Sequence, residues 1–171
     1  MTSSTYFFCP YCGSALGNYI EDNKKRLICE RGHVVYENSK PAVGAIITDG
    51  GSRVLLTRRA NAPYIGHWDI PGGFLEAGEH PEDGIKREIK EELGISIRIE
   101  GFLDHFISRY GENGSYVLNI FYVATADVTG AIAQDDVSEF KWFDLENLPD
   151  NLAFPVNKVA LKLWRKRYQR G

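Results

Sequence analysis

Cysteine is scarce in this sequence, and long apolar runs are missing. Three cysteines among 171 residues are too few, and odd in number, for a framework of disulfides. No stretch is long and apolar enough to span a membrane. The opening residues, MTSSTYFFCPYC, contain neither the basic leader nor the apolar segment of a secretory signal. We therefore expect a cytoplasmic protein that has no membrane partner.

The charge balance offers little attraction for nucleic acid. Twenty basic and 23 acidic residues give a formal net charge of −3, and a hydrophobic fraction of 43% is ordinary for a folded chain. Basic residues concentrate between Lys158 and Arg170, where no acidic residue intervenes. Apolar residues recur among them at helical spacing, so this segment is interpreted as a docked helix with a solvated basic face. Binding of nucleic acid by this helix is the less favoured alternative.

The first 38 residues are predicted to form a separate small module. They contain Cys9, Cys12, Cys29 and His33 in the spacing C-x2-C-x16-C-x3-H. Thiolate and imidazole ligands in two short clusters are typical of a structural zinc site, in which four protein ligands leave no open position for chemistry. The alternative is three buried thiols and an unrelated histidine. We predict a zinc ribbon over residues 1–38 and a second domain over residues 39–171.

The second domain alternates short apolar runs with turn signals. PAVGAIIT and RVLLTRR, separated by DGGS, predict two strands joined by a turn. Pro81, followed by two acidic residues, predicts the start of a helix, and Gly94 predicts its end. Three further strand segments and a C-terminal helix complete the order expected of an α/β sandwich. The buried stripe of the first helix is predicted to be Ile85, Ile89 and Leu93, and that of the last helix Val156, Val159, Ala160, Leu163 and Trp164.

Within the first helix, the run REIKEELG places three glutamates side by side. Glu88, Glu91 and Glu92 are three and four residues apart, so their side chains are neighbours that repel one another. At 100° per residue they flank the buried stripe, with Glu92 closest to it. Charge runs are usually solvated helix faces. The alternative is a cation site, because magnesium takes carboxylate, water and phosphate oxygens as ligands.

The wider run GFLEAGEHPEDGIKREIKEELGI, residues 73–95, decides between these interpretations. Gly73, Glu79, Arg87 and Gly94 stand at fixed distances from the three glutamates. This pattern matches the Nudix box at every fixed position, so the chain closely resembles the Nudix hydrolase family. The resemblance implies a Nudix α/β/α sandwich with a mixed sheet. It also implies metal-dependent hydrolysis of a diphosphate bond in a nucleoside diphosphate linked to another group.

The resemblance also implies a role for each residue of the box. The ligands of Mg²⁺, or of Mn²⁺, would be Glu88, Glu91 and Glu92. Arg87 would orient these carboxylates, and the glycine-rich loop, with Gly72 and Gly73, would allow the backbone to approach the substrate closely. Water activated by a metal ion and a carboxylate base would attack phosphorus. The catalytic set is thus predicted to be Arg87, Glu91, Glu92 and Glu139, with Glu139 as a base from outside the box and Asp136 as its alternative.

The substrate is expected to be a nucleotide held by aromatic and cationic side chains. Trp68 is the predicted aromatic contact and Arg59, at the end of a strand, the predicted phosphate ligand. Further aromatic candidates are Tyr64, Phe106, Tyr110 and Tyr116.

In its combination of a zinc ribbon, the Nudix box and the run FPVNK, the chain resembles a zinc-ribbon Nudix group that includes ADP-ribose and FAD pyrophosphatases. The alternatives are an NADH pyrophosphatase, whose run SQPWPFP is absent here, and a dinucleoside polyphosphate hydrolase, in which a tyrosine occurs near the position of Tyr110. A non-catalytic nucleotide sensor and an RNA-binding Nudix protein also remain open. Relatives commonly carry a second C-x2-C where this chain has CERGH, so His33 is the candidate fourth zinc ligand. Homodimers are frequent in the family.

Overall fold

The computed structural model describes residues 6–21, 23–112 and 114–168, and the chain forms two compact units, residues 1–39 and 40–171. The first unit contains a three-stranded antiparallel sheet of β1 (Leu16–Glu21), β2 (Lys24–Cys29) and β3 (Val34–Val35). Few of its apolar side chains are buried, namely Cys9, Leu27, Cys29 and Val35. A unit this small buries too little apolar surface to be stable on packing alone, so a metal centre or another crosslink is expected in it.

The second unit contains six strands and two α-helices in the predicted order. The strands are β4 (Lys40–Thr48), β5 (Arg53–Arg59), β6 (Trp68–Asp69), β7 (Ile97–Arg109), β8 (Tyr116–Ala126) and β9 (Val137–Asp144). The helices are α1 (Pro81–Leu93) and α2 (Pro155–Tyr168), and a short 3-10 helix covers Leu145–Asn147. Neither α-helix is long and apolar enough to cross a membrane.

The sheet of this unit is mixed, because its central pair of strands is parallel. The order is β6-β5-β4-β8-β7, with β9 paired along the length of β5. β4 runs parallel to β8 over nine residue pairs. The two strands predicted as a simple pair, β4 and β5, are antiparallel but share only two residue pairs near the turn. β4 pairs with β8 along its whole length, including the two residues that also pair with β5, and this makes the interior of the sheet.

Each helix covers one face of the sheet. α1 packs Ile85, Ile89 and Leu93, all fully buried as predicted, against alternate residues of β4 such as Ala45 and Ile47. The side chain of Ile46 points to the opposite face, where it joins the core beneath α2. The fold is therefore the α/β/α sandwich with a mixed sheet that the sequence predicts.

The buried stripe of α2 differs from the prediction at one edge. Val156, Ala160 and Trp164 are buried as expected, but Val159 is 50% exposed and Leu161 is only 1% exposed. The prediction of Val159 as a core residue was wrong. Counted from Val156, the buried stripe runs through positions i, i+4, i+5 and i+8, so its centre lies one residue later than predicted.

The ends of α1 follow the sequence signals. His80 caps the N-terminus by accepting a hydrogen bond from the backbone N–H of Glu82, and Pro81 is the first helical residue. Gly94 ends the helix in the left-handed region, at φ 71°, and its N–H donates to the carbonyl of Lys90. These two caps fix where the helix begins, and hence where the three glutamates lie relative to the sheet.

Candidate active site

The glycine-rich loop between β6 and α1 is fastened to the edge of β4. The backbone N–H of Val43 donates to the carbonyl of Gly73 at 2.8 Å, and the N–H of Ala45 donates to the carbonyl of Pro71 at 2.9 Å. Between them Gly72 adopts φ 141°, and a Cβ at this position would lie 2.1 Å from the carbonyl oxygen of Val43. Only glycine permits so close an approach of the two backbones.

Gly73 makes a second close approach, to the carboxylate of Glu88. A Cβ on Gly73 would lie 2.5 Å from Glu88 Oε2. The two glycines predicted to approach the substrate therefore have a more immediate role here, since they bring the loop backbone against β4 and against a glutamate of the box.

Arg87 is the centre of the polar cluster on α1. Its guanidinium binds both oxygens of Glu79, at 2.7 and 2.8 Å, and donates to Glu88 at 2.8 Å and Glu91 at 2.9 Å. A further N–H donates to the carbonyl of Phe74, which ties the cluster to the loop. Hydrogen bonds from Arg87 lower the pKa of Glu79 to about 2. The planar fork of arginine suits the bidentate contact with Glu79, and the same guanidinium contacts two of the three glutamates of the box.

Glu92 is the most buried carboxylate of the cluster. Its side chain is 4% exposed, and Oε2 accepts a hydrogen bond from the backbone N–H of Gly72 at 3.1 Å. Burial raises its pKa well above the usual value, and the neighbouring acids Asp136, Asp69 and Glu88 raise it further. Burial also raises the pKa of Glu88. Glu92 thus lies buried among other acids, and a divalent cation would stabilise its charged form.

Beside this cluster lies a cleft lined by residues that are distant in sequence. Its charged end contains Glu88, Asp135, Asp136 and the ion pair between Arg59 and Asp69, whose closest atoms are 2.9 Å apart. The carboxylate of Asp69 is buried and also accepts a hydrogen bond from the side-chain amide of Asn157. Burial raises the pKa of Asp69.

Arg59 lies in the cleft, as expected of a substrate ligand, but much of its guanidinium is already engaged. Besides Asp69, it donates to the carbonyl of Pro63 at 2.7 Å and to the hydroxyl of Tyr110 at 3.3 Å. The guanidinium carbon lies 5.3 Å from the centre of the Phe154 ring. An arginine has five N–H donors, and the described residues engage three of those of Arg59.

Aromatic rings form one wall of the cleft, but Trp68 is not among them. The lining rings include Phe74, Tyr110 and Phe154, with Phe74 and Tyr110 5.2 Å apart between ring centres and Tyr110 stacked on Phe154. Trp68 instead packs against Phe143 in the core beneath α2, because β6 pairs with β5 there. Among the predicted aromatics only Tyr110 lines the cleft, and Phe74 and Phe154 carried no local signal.

The predicted base, Glu139, lies outside the cleft. It belongs to β9, directly opposite Arg58, and its carboxylate is half exposed and 3.3 Å from Arg58 Nη1. The alternative acid, Asp136, does line the cleft, and its charge raises the pKa of Glu88 and of Glu92. Burial raises the pKa of Asp136, while the nearby charge of Arg59 lowers it.

A second cluster of ligand side chains occurs in the N-terminal unit. Cys9, Cys12, Cys29 and His33 offer ligand atoms that all lie within 4.8 Å of one another. The Sγ of Cys9 is 3.5 Å from Nδ1 of His33, and the Sγ atoms of Cys12 and Cys29 are 3.7 Å apart. Tetrahedral zinc requires separations of about 3.5 Å for sulfur to nitrogen and about 3.8 Å for sulfur to sulfur, given its usual bond lengths. The donor set therefore fits zinc in both chemistry and size.

The box, the sandwich and the cleft can be compared with known proteins. The family model described as the NUDIX domain matches residues 38–163. The chain belongs to the Nudix family. It is 37% identical over 127 residues to a protein of Methanocaldococcus jannaschii named ADP-ribose pyrophosphatase, and the match covers 73% of each chain. It is also 29% identical over 160 residues to a protein of Vibrio atlanticus named NAD-capped RNA hydrolase NudC. This match covers 91% of this chain and 55% of that protein.

A solved Nudix structure extends the similarity to nearly the whole chain. The crystal structure of a NUDIX hydrolase from Nitrosomonas europaea aligns with a TM-score of 0.81 and 27% identity, covering 97% of this chain and 94% of that one. The Nudix resemblance stated from residues 73–95 is thus confirmed. As a Nudix hydrolase, the chain acts on a diphosphate bond of a nucleotide-linked substrate, and members of the family generally use divalent metal ions.

Proposed function

We propose that this Nudix hydrolase cleaves the diphosphate of ADP-ribose, or of a similar nucleotide such as FAD, with Mg²⁺ or Mn²⁺ held by Glu88, Glu91 and Glu92. The observation that carries the proposal is the buried carboxylate of Glu92, which lies among other acids and whose only hydrogen bond in the described part of the chain comes from a backbone N–H. A divalent cation would offset this charge and, when bound, would polarise a phosphate oxygen and lower the pKa of bound water.

The remaining chemistry is assigned to residues of the chain. Arg87 holds Glu88 and Glu91 in place. Asp136 lines the same cleft as Glu88, whereas Glu139, which does not line it, pairs with Arg58. We therefore assign the base to Asp136 in preference to Glu139. The base removes a proton from water, the water oxygen bonds to phosphorus, and the bridging P–O bond breaks to release the second phosphate.

The substrate class rests on similarity and on the cleft. The protein named ADP-ribose pyrophosphatase is 37% identical to this chain. The cleft joins aromatic rings to the glutamate cluster, and this arrangement suits a nucleobase at one end and a diphosphate at the other. Arg59 lines the cleft and keeps two N–H donors that bind no group among the described residues, so we propose that it contacts phosphate.

The test is an assay in Mg²⁺ or Mn²⁺ over ADP-ribose, FAD, NADH, dinucleoside polyphosphates and NAD-capped RNA, with products identified. We expect ADP-ribose to be hydrolysed to AMP and ribose 5-phosphate faster than any other substrate of this set is cleaved. Preference for another substrate would overturn the substrate class, and cleavage of none would overturn the catalytic proposal.

One observation favours a second candidate. The relatives named NAD-capped RNA hydrolase match over as much as 91% of this chain, although the chain spans only 33–55% of the length of such relatives. An NAD-type substrate, free or at the end of RNA, is therefore the second candidate, and NADH and NAD-capped RNA in the same assay distinguish it.

We further propose that residues 1–38 are a zinc ribbon in which His33 takes the fourth position. The support is the fit of the four ligand atoms to tetrahedral zinc. The backbone N–H of Ser14 lowers the pKa of Cys12 to about 6, and this favours the thiolate form that binds metal. Cytoplasmic location and a homodimer remain proposals, to be tested by fractionation and by sedimentation.

A further inference from the structure

One polar side chain on the floor of the cleft belongs neither to the carboxylate cluster nor to the Arg59 ion pair. Asn119 of β8 lies opposite Ala42 of β4 and Phe106 of β7. Its neighbours on the floor are apolar or small, among them Ala42, Val117 and Phe121. A single amide in such surroundings gives the floor one point of polar recognition.

The orientation of this amide is fixed by its neighbours. Nδ2 lies 2.9 Å from Ser108 Oγ, 3.2 Å from the carbonyl of Phe106 and 3.3 Å from the carbonyl of Val117. Two of these three partners are carbonyl oxygens, which only accept, so the nitrogen must face them. The other end of the amide, Oδ1, has no hydrogen bond within the described residues.

Ser108 completes a pair of complementary polar atoms. It lies beside Asn119 in the cleft lining, and its oxygen accepts from Asn119 Nδ2. The hydroxyl hydrogen is therefore free to rotate toward a ligand. The floor thus presents an acceptor, Asn119 Oδ1, next to a donor, the Ser108 hydroxyl.

The position of this pair suits the base of a nucleotide whose diphosphate reaches the glutamates. Asn119 pairs with Ala42 of β4. The next residue of β4, Val43, is hydrogen-bonded to Gly73, and the backbone of Gly73 lies against the carboxylate of Glu88. Phe74 and Tyr110 line the same cleft, and each of these residues is 37% exposed. Stacking on such rings is the usual partner of hydrogen bonds to a base edge.

We infer that Asn119 and Ser108 form a base-reading site that selects adenine. The 6-amino group of adenine donates and its adjacent ring nitrogen accepts, and this pattern complements the pair. Hypoxanthine has the same size but presents an oxygen to Asn119 Oδ1, and two acceptors cannot hydrogen-bond. The Ser108 hydroxyl can turn and accept from the N1–H of hypoxanthine, so discrimination between the two bases falls to Asn119. This inference rests on the proposed function, because it concerns the nucleotide that the same cleft would hold.

The test compares kcat/KM for ADP-ribose and for its hypoxanthine counterpart, IDP-ribose, in Mg²⁺. The one mismatched hydrogen bond should cost about tenfold, so the wild type should prefer ADP-ribose by about tenfold. Asn119→Ala should bring this ratio close to one, whereas Ser108→Ala removes a contact from both substrates and should leave the ratio near tenfold. Asn147→Ala is the matched control, because Asn147 is exposed on the 3-10 helix and lies outside the cleft.

The ratio of kcat/KM for ADP-ribose to kcat/KM for IDP-ribose separates base recognition from damage to the fold, because a loss of folded enzyme lowers both values equally. A wild-type ratio below about threefold, or a ratio unchanged in Asn119→Ala, would overturn the inference. Calorimetric binding of AMP and IMP to the same preparations distinguishes the two proposals. If neither compound is hydrolysed but AMP binds more tightly than IMP and Asn119→Ala removes the difference, the base-reading site stands while the proposed reaction fails.

Discussion

Gly72→Ala is predicted to destabilise the second unit more than any ordinary glycine substitution in the same loop. The added Cβ would lie 2.1 Å from the carbonyl oxygen of Val43 and 2.9 Å from Cα of Gly44. To reach ordinary contact distance the loop must move away from β4 by about 1 Å. This shift stretches the hydrogen bonds on either side, from Val43 N–H to Gly73 and from Ala45 N–H to Pro71.

The expected magnitude follows from these losses. Two weakened backbone hydrogen bonds cost about 1 kcal/mol each, and an alanine at φ 141° adds about 1–2 kcal/mol of backbone strain. The free energy of unfolding should fall by about 3–4 kcal/mol, which for a unit of this size lowers Tm by roughly 10–15 °C. The matched control is Gly78→Ala, because Gly78 also has a positive φ, 82°, but a Cβ there meets nothing within 4 Å. The control should cost only about 1 kcal/mol.

Tryptophan fluorescence during urea and thermal unfolding is a suitable assay. All three tryptophans, Trp68, Trp142 and Trp164, belong to the unit of residues 40–171, so the signal reports on that unit alone. Stabilities of Gly72→Ala and Gly78→Ala that agree within about 0.5 kcal/mol would refute the close approach of the loop to β4.

Three further predictions concern other parts of the molecule. The purified protein should contain one zinc ion per chain, and Cys9→Ser or His33→Ala should lower the zinc content measured by elemental analysis; full zinc content in His33→Ala would remove His33 from the ligand set. Glu79 has a pKa of about 2 when folded against an ordinary 4.5, so its ion pair stabilises the fold fully above pH 4.5 and progressively less toward pH 2. The difference in unfolding free energy between wild type and Glu79→Gln should shrink over that interval, and a constant difference would contradict the assignment. Leu161→Ala should cost about 2–4 kcal/mol in urea unfolding and Val159→Ala less than about 0.5 kcal/mol, and equal costs would restore the stripe predicted from sequence.

The parts of the site that lie close together in sequence could be predicted. α1 begins and ends at local signals, and its helical period alone places Glu92 beside the buried stripe, where it is found. The relation of Glu79 and Arg87 to the glutamates is likewise contained within 14 residues.

The parts that depend on distant pairing could not. Asp69 and Asn157 are 88 residues apart and meet only because β6 and α2 adjoin the same cleft. The parallel pairing of β4 with β8 brings Asn119 beside Ala42, and no local pattern reports it. Trp68 was predicted as a substrate contact because a nucleotide base needs an aromatic partner, but its ring packs against Phe143 in the core beneath α2.

Hydrolysis of ADP-ribose in the presence of Mg²⁺ by wild type and by Glu92→Gln is the most direct test of the central claim. The substitution keeps the size of the buried side chain and its contact with the Gly72 N–H, but removes the negative charge. The account predicts release of AMP and ribose 5-phosphate by the wild type and a loss of at least about 100-fold in kcat for Glu92→Gln, with its Tm retained. A Glu92→Gln enzyme that turns over near the wild-type rate would contradict the claim that this carboxylate holds the catalytic metal.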